Sequence, residues 1–285
     1  MNVIHHHFKQ VNGLRLHYLS AGRPEAKTIV LLAGFPQSSY AWRSVMQLLA
    51  NTFHVIAPDL PGQGDSALPH SGYDTDTLAQ YIATLLQQLG IHDYFLAGHD
   101  IGAWVAFPLA AQFPDAVKKL ALLDAGIPGV TLPDALPATQ ASAWKTWHFA
   151  FHLLEDLPEA LLTGREALYL DWFLRRKAAN RQVFSEESIQ EYWRIFTQPG
   201  GMRAGLAYYR AAAQSAQQNR SWLEKGKLAM PVLAVSADQG SIPDMALPLR
   251  QFARDVRGVT IASCGHFIPE EQPAALVETL TSFYS

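Results

Sequence analysis

The chain has 285 residues, 49% of them hydrophobic and 16% charged, with a formal net charge of −3. That length allows one large α/β domain with an inserted lobe, and so weak a charge gives no reason to expect nucleic acid or an anionic membrane as partner. A single cysteine excludes an internal disulfide framework.

The first residues, Met1-Asn-Val-Ile-His-His-His-Phe-Lys, contain no apolar signal region, and no apolar run is long enough to span a bilayer. A cytoplasmic protein is expected; a signal peptide already removed would leave no trace. His5, His6 and His7 point alternately to opposite faces if they lie on a strand, so they cannot converge on one ion and no metal site is expected there. Phe8 to Ala21 alternates around Asn12-Gly13 and predicts a hairpin. Thr28-Ile-Val-Leu-Leu-Ala is the continuous apolar run of a strand covered on both faces, and it ends in Gly34-Phe35-Pro36. A helix follows from about Ser39, then a strand at His54-Val-Ile-Ala-Pro-Asp59 and the loop Leu60-Pro-Gly-Gln-Gly-Asp-Ser66. Asp74 or Thr75 caps a helix that Gly90 stops.

Tyr94-Phe-Leu-Ala is the next strand, and it breaks sharply at Gly98-His99-Asp100-Ile101-Gly102 before an apolar helix. A turn this tight forces strained angles on its central residue and leaves no room for side chains beside it. The spacing is that of a nucleophile elbow with aspartate in place of serine. A strand at Val117 to Asp124 completes a strand–helix alternation that argues for a parallel sheet with right-handed crossovers.

After Asp124 the alternation stops. Residues from about 126 to 227 show helical patterns over Trp144–Leu154, Glu159–Ala178, Ser185–Phe196 and Gly201–Gln217, punctuated by Pro128, Pro133, Pro137 and Pro199. Structureless loops of such length are uncommon, so this block predicts a helical lid. Strands resume at Met230 to Asp238 and Gly258 to Ser263, and a last helix runs from Pro273 to Tyr284. The chain thus divides into a core domain, 1–125 with 228–285, and a helical cap, 126–227.

In an open parallel sheet, ligands bind beyond the carboxyl ends of the strands. Phe35, Asp100, Asp124 and His266 all sit at such ends, and the last three follow the order nucleophile, acid, histidine. The Gly34-Phe35-Pro36 turn, the Asp59–Ser66 loop, the elbow, the helical block and Cys264-Gly265-His266-Phe267 together resemble the α/β-hydrolase superfamily over essentially the whole chain. Within it the chain is similar to bacterial epoxide hydrolases with a histidine and tyrosine as ring-opening pair, relatives of the haloalkane and haloacetate dehalogenases. The resemblance implies a mostly parallel eight-stranded sheet with helices on both faces and an inserted helical lid.

It also implies a chemistry. Asp100 is ionised at neutral pH and attacks an electrophilic carbon to form an alkyl ester, which water activated by His266 then hydrolyses. The backbone N–H groups of Phe35 and Ile101 form the oxyanion hole, and a buried carboxylate orients His266. That carboxylate is either Asp124 or Asp238; Asp124 is preferred, and Asp238 then becomes a turn residue. His148 and Tyr209 match the ring-opening pair, and Tyr208, about 100° away on the same helix, cannot face the site with Tyr209. Trp147, Phe149 and Phe267 are expected to line the pocket. His99 is expected to pack under the elbow, and Cys264 to be a small packed residue. The partner implied is a small-molecule substrate, with no cofactor, and a homodimer is compatible with the sequence.

Dehalogenases of this type place tryptophan or arginine just after the nucleophile, where this chain has Ile101, with Trp104 close by. The absence of those anion-binding groups points to a neutral epoxide. A haloalkane- or haloacid-type dehalogenase using the same aspartyl ester is the alternative, with Trp147, His148 and Tyr209 holding halide. A non-catalytic binding protein on a hydrolase scaffold is more remote, because nucleophile and histidine are both retained. Ala33 stands where many relatives have histidine before the Gly-x-Pro turn.

Overall fold

A computed structural model of the chain describes residues 2–133, 139 and 142–285. Pro137, named above as a break in the helical block, lies outside the described residues. The structure is built on one eight-stranded sheet: β1 (His5–Val11), β2 (Leu14–Ala21), β3 (Thr28–Leu32), β4 (His54–Pro58), β5 (Tyr94–His99), β6 (Val117–Leu123), β7 (Val232–Ala237) and β8 (Val256–Ile261). Their spatial order is β1-β2-β4-β3-β5-β6-β7-β8. The hairpin β1–β2 pairs antiparallel, β2 joins β4 antiparallel, and every later pairing is parallel. Because β3 and β5 are central, both faces of each are covered, which is why Thr28–Leu32 and Tyr94–His99 are buried at every position.

Helices cover both faces. On one, α1 (Arg43–Leu49) and the C-terminal α12 (Pro273–Tyr284) pack Val45, Leu49, Leu276 and Tyr284 against inward residues of the strands. On the other, α2 (Thr75–Gln88) and α3 (Ile101–Gln112) pack Leu78, Ile82, Val105 and Phe107. Asp74 caps α2 by accepting a hydrogen bond from the Thr77 N–H at 3.0 Å, a contact worth about 1 kcal/mol. Helix α3 is apolar all round and buried from Ile101 to Ala110. Such a helix has no solvent face, and this one is pinned between the sheet and its neighbours.

Among the described residues, the regular structure between β6 and β7 is helical, with isolated bridges only at Pro128–Leu132 and at Leu228, which pairs with Ala253. It forms α4 (Ala143–Leu153), α5 (Leu157–Leu162), α6 (Glu166–Lys177), α7 (Glu186–Thr197), α8 (Gly201–Arg210) and α9 (Ala212–Glu224). Two stretches expected as single helices are each split. Gly164, at φ +78°, separates α5 from α6, and the chain turns at Ala211 between α8 and α9. Two one-turn helices, α10 (Ala246–Leu249) and α11 (Ile268–Glu271), were not anticipated, being too short to show a periodicity. No helix among the described residues is long and apolar enough to cross a membrane.

Candidate active site

Asp100 lies between β5 and α3 at φ 53° and ψ −123°, a conformation few side chains adopt. Strain of this kind costs on the order of 1–3 kcal/mol and persists only where the surroundings enforce it. Here they do: a Cβ on Gly98 would meet the backbone of Gly102 and Ala103, and one on Gly102 would meet the Leu32 and Ala33 carbonyls. The elbow is therefore clamped against β3, and its side chain is turned up from the sheet.

Two groups converge on that side chain. Oδ1 of Asp100 accepts a hydrogen bond from the Phe35 N–H at 2.8 Å. Oδ2 lies 3.3 Å from Nε2 of His266, within ion-pair distance. On its other side His266 donates through Nδ1 to Oδ2 of Asp124 at 2.7 Å. Asp124 ends β6 at φ 39°, is 1% exposed, and also accepts from the Ser241 and Ile242 N–H groups at 2.8 and 2.9 Å. A Cβ on Gly240 would come within 2.7 Å of the Asp124 carboxylate. The absent side chain at 240 thus leaves the space that this acid fills from the neighbouring strand. Asp238 instead accepts from the Ser263 and Cys264 N–H groups in the turn after β8, away from His266 Nδ1.

Electrostatics follows from this packing. Burial alone would lower the His266 pKa, but its contacts with Asp100 and Asp124 hold it above 6.5. Burial would likewise raise the Asp100 pKa, yet hydrogen bonding and charge from His266 hold it well below the usual carboxylate range. Asp100 is therefore an anion at neutral pH. His99, behind the elbow, is taken down to about 4 by burial and then by the His266 charge, and its neutral ring donates from Nε2 to the His266 carbonyl at 2.7 Å. Burial pushes the Cys264 thiol far up, so it is no nucleophile at neutral pH.

A cavity of about 260 Å³ opens over Asp100, lined among others by Trp104, Ser142, Lys145, His148, Phe149, Lys177, Ile242 and His266. Along α4, residues Lys145, Thr146, His148 and Phe149 face it, whereas Trp144 and Trp147 belong to the opposite side of the helix. Trp147 is not brought to the site. It lines a separate apolar groove of about 580 Å³ with Leu161, Leu168 and Trp172, which has no titratable group but Arg165 and Tyr169. One residue of helix, about 100°, separates it from His148 and accounts for the difference. Phe267 is not brought to the cavity either. It is fully buried beneath His266, with Phe184 edge-on at 5.2 Å between ring centroids.

Tyr209 is buried with its ring against Phe35, Trp104, His148 and Phe149 at 5.3–5.8 Å, and no hydrogen bond to its hydroxyl is found among the described residues. Burial, then the Asp100 charge, raises its pKa well above 10, so it stays protonated. Tyr208 points the other way and donates to the Pro61 carbonyl at 2.5 Å. Burial, and then the charge on Lys177, lowers the His148 pKa well below 6.5. His148 is thus a neutral imidazole that can donate one hydrogen bond but carries no positive charge.

Three residues at the site escaped the sequence reading. His152, one turn after His148, is buried with its ring 4.4 Å from that of Tyr209, and its Nε2 pairs with the Tyr169 hydroxyl at 2.5 Å. Its i, i+4 spacing from His148 was the available signal. Lys177 ends the buried stripe Leu170, Phe173 and Leu174 of α6, an odd place for a charge and hence also a readable signal. Glu271 accepts from the Gly265, Phe267 and Ala179 N–H groups at 3.0, 3.0 and 2.7 Å, tying the histidine loop to the end of α6. Nothing in its sequence context marks that role.

The elbow, the aspartate–histidine–aspartate array and the mostly parallel sheet define an α/β hydrolase, and the alpha/beta hydrolase fold family matches residues 27–273. The chain belongs to that family. It is 37% identical to the soluble epoxide hydrolase of Corynebacterium sp. (strain C12), over 99% of this chain and 98% of that protein. Among solved structures, Cfl2 from Burkholderia cenocepacia is 61% identical with a TM-score of 0.98, covering 99% of this chain and 96% of its own. The epoxide hydrolase CorEH is 36% identical with a TM-score of 0.91, covering 99% of both chains.

Proposed function

We propose that this enzyme opens small epoxides to vicinal diols through an ester on Asp100, with residues 126–227 acting as the lid over the reaction. The observation that carries the proposal is the division of labour between the two Asp100 oxygens. Oδ1 is held by the Phe35 N–H, whereas Oδ2 is left beside His266 and free to attack. In the first step Oδ2 bonds to a ring carbon, the carbon–oxygen bond of the ring breaks, and its electron pair goes to the ring oxygen. That oxygen takes a proton from the Tyr209 hydroxyl and a hydrogen bond from neutral His148. In the second step His266 removes a proton from water, which attacks Cγ of Asp100. Charge builds on Oδ1, where the Phe35 N–H and, beside it, that of Ile101 receive it. In the collapse of this intermediate the His266 imidazolium returns its proton to Oδ2, which leaves with the diol. The water oxygen stays on Asp100, and the remaining proton of that water goes back to the Tyr209 phenolate. Asp124 holds the His266 imidazolium through this step.

Epoxide opening is favoured over halide displacement because Trp147, put forward as a halide donor, lines the outer groove and is not among the residues lining the cavity over Asp100. The relatives named above as epoxide hydrolases support the same choice. The test is a panel of short aliphatic epoxides and bromoalkanes monitored for diol and for halide. Diol from at least one epoxide, abolished in Asp100→Asn, is the expected result. Halide release without diol from any epoxide would overturn the proposal.

A further inference from the structure

Lys177 is 5% exposed, yet it lines the cavity over Asp100. Among the described residues no carboxylate lies within ion-pair distance of its ammonium and no hydrogen bond from it is found; the contact made is with the Phe173 ring, 4.6 Å from Nζ to centroid. A buried ammonium without a partner is costly, and methionine at this place would continue the apolar stripe of α6 without that cost. A second cation, Lys145, reaches the same cavity from α4, where it donates to the Gly240 carbonyl at 3.2 Å. The expectation of a neutral substrate rested on the residues following the nucleophile, whereas both lysines come from the helices inserted after β6.

Resting on the epoxide-opening reading above, we propose that the substrate carries a carboxylate close to the epoxide ring and that the Lys177 ammonium binds it. The charge balance of the reaction supports this. In the free enzyme Lys177 shares the cavity with the Asp100 and Asp124 anions. Once Asp100 is an ester its charge is gone, and Asp124 is committed to His266, Ser241 and Ile242. A carboxylate on the substrate then supplies the anion that the lysine faces. Burial pulls the Lys177 pKa down to about 8, against Asp100 and Asp124, which raise it, so the side chain is mostly charged at pH 7. A cavity of about 260 Å³ lies below the usual range for drug-sized ligands, about 300–1,000 Å³, which restricts the substrate to a short acid.

The epoxides of crotonate and of crotonamide match in shape and differ in charge, and they test the proposal directly. Wild-type enzyme is expected to prefer the crotonate epoxide at least tenfold in kcat/KM. Lys177→Met is expected to lower the ratio of the two kcat/KM values by about 10- to 100-fold, the size of one hydrogen bond to a charged group. An unchanged ratio in the variant, or a wild-type preference for the amide, would overturn the assignment. A measurement that needs no variant is inhibition of butylene oxide hydrolysis by butanoate and by butanamide. Butanoate is expected to bind at least tenfold more tightly, and equal inhibition would overturn the proposal. Turnover of both crotonate-derived epoxides without preference refutes charge recognition alone, whereas turnover of no epoxide refutes the epoxide-opening reading with it.

Discussion

Replacing Asp124 by asparagine tests how the two half-reactions are divided among the site residues. The substitution keeps the size of a side chain that is 1% exposed and removes only its charge. Of its three hydrogen bonds, the one from the Ile242 N–H at 2.9 Å goes to Oδ1, whereas the one from the Ser241 N–H at 2.8 Å shares Oδ2 with His266, so the single oxygen of an amide cannot accept all three. The third, the charge-assisted bond from His266 Nδ1 at 2.7 Å, loses about 1.5–3 kcal/mol, or roughly 10- to 150-fold in rate. An amide also favours the wrong histidine tautomer, and in serine-type triads the equivalent change costs about 10⁴. Hydrolysis of the ester is therefore expected to slow by about 10²- to 10⁴-fold. Ester formation needs no base and should change by less than about tenfold. Rapid-quench sampling with whole-protein mass spectrometry separates the two steps: Asp124→Asn should accumulate the adduct during turnover. Equal slowing of both steps, or no adduct, would refute the assignment of Asp124 to the second step.

Gly240→Ala places a Cβ 2.7 Å from Oδ1 of Asp124, so the acid must shift; the variant should accumulate ester in the same assay, with a smaller loss than Asp124→Asn. Tyr209→Phe and His148→Ala should slow ester formation by about 10²-fold or more, the scale of a general acid, while leaving hydrolysis of a preformed ester within about tenfold; the reverse pattern in single-turnover experiments would remove them from ring opening. His266 must be neutral to activate water, so ester hydrolysis should rise with pH through its titration. The free-enzyme pKa lies above 6.5 partly because of the Asp100 charge, which the ester lacks, so the midpoint for ester hydrolysis should fall below the His266 value that NMR measures in the free enzyme. A midpoint at or above that value would contradict this coupling. Because folding raises the His266 pKa, its protonation stabilises the fold fully below about pH 6.5, and that contribution is lost as pH rises through the folded value.

Much of the scaffold was readable before any coordinates. Thr28–Leu32 and Tyr94–His99 read as buried parallel strands because central strands carry no polar face, and Asp100 between two glycines is a local signal for an elbow. The helices between β6 and β7 were legible as a block, but their breaks were not, since a glycine is compatible both with a helix interior and with the φ +78° that Gly164 adopts. Failures at the site share one cause. Trp147 and His148 are adjacent in sequence, and only the rotation of α4 against the core decides which enters the cavity. Lys177 and Glu271 act across the gap between the inserted helices and the histidine loop, a juxtaposition set by tertiary packing. The triad acid was narrowed to two candidates because each ends a strand; the choice depends on which carboxylate reaches His266 Nδ1, a matter of distance and not of pattern.

The central claim is the covalent ester on Asp100, and single-turnover hydrolysis in heavy-oxygen water, with enzyme in excess over an epoxide, tests it most directly. Because Oδ2 leaves with the product and the water oxygen stays behind, the first diol released should carry ordinary oxygen, and the peptide containing Asp100 should gain the label. Heavy oxygen in the first diol, with none in that peptide, would mean direct attack of water on the epoxide and would contradict the mechanism.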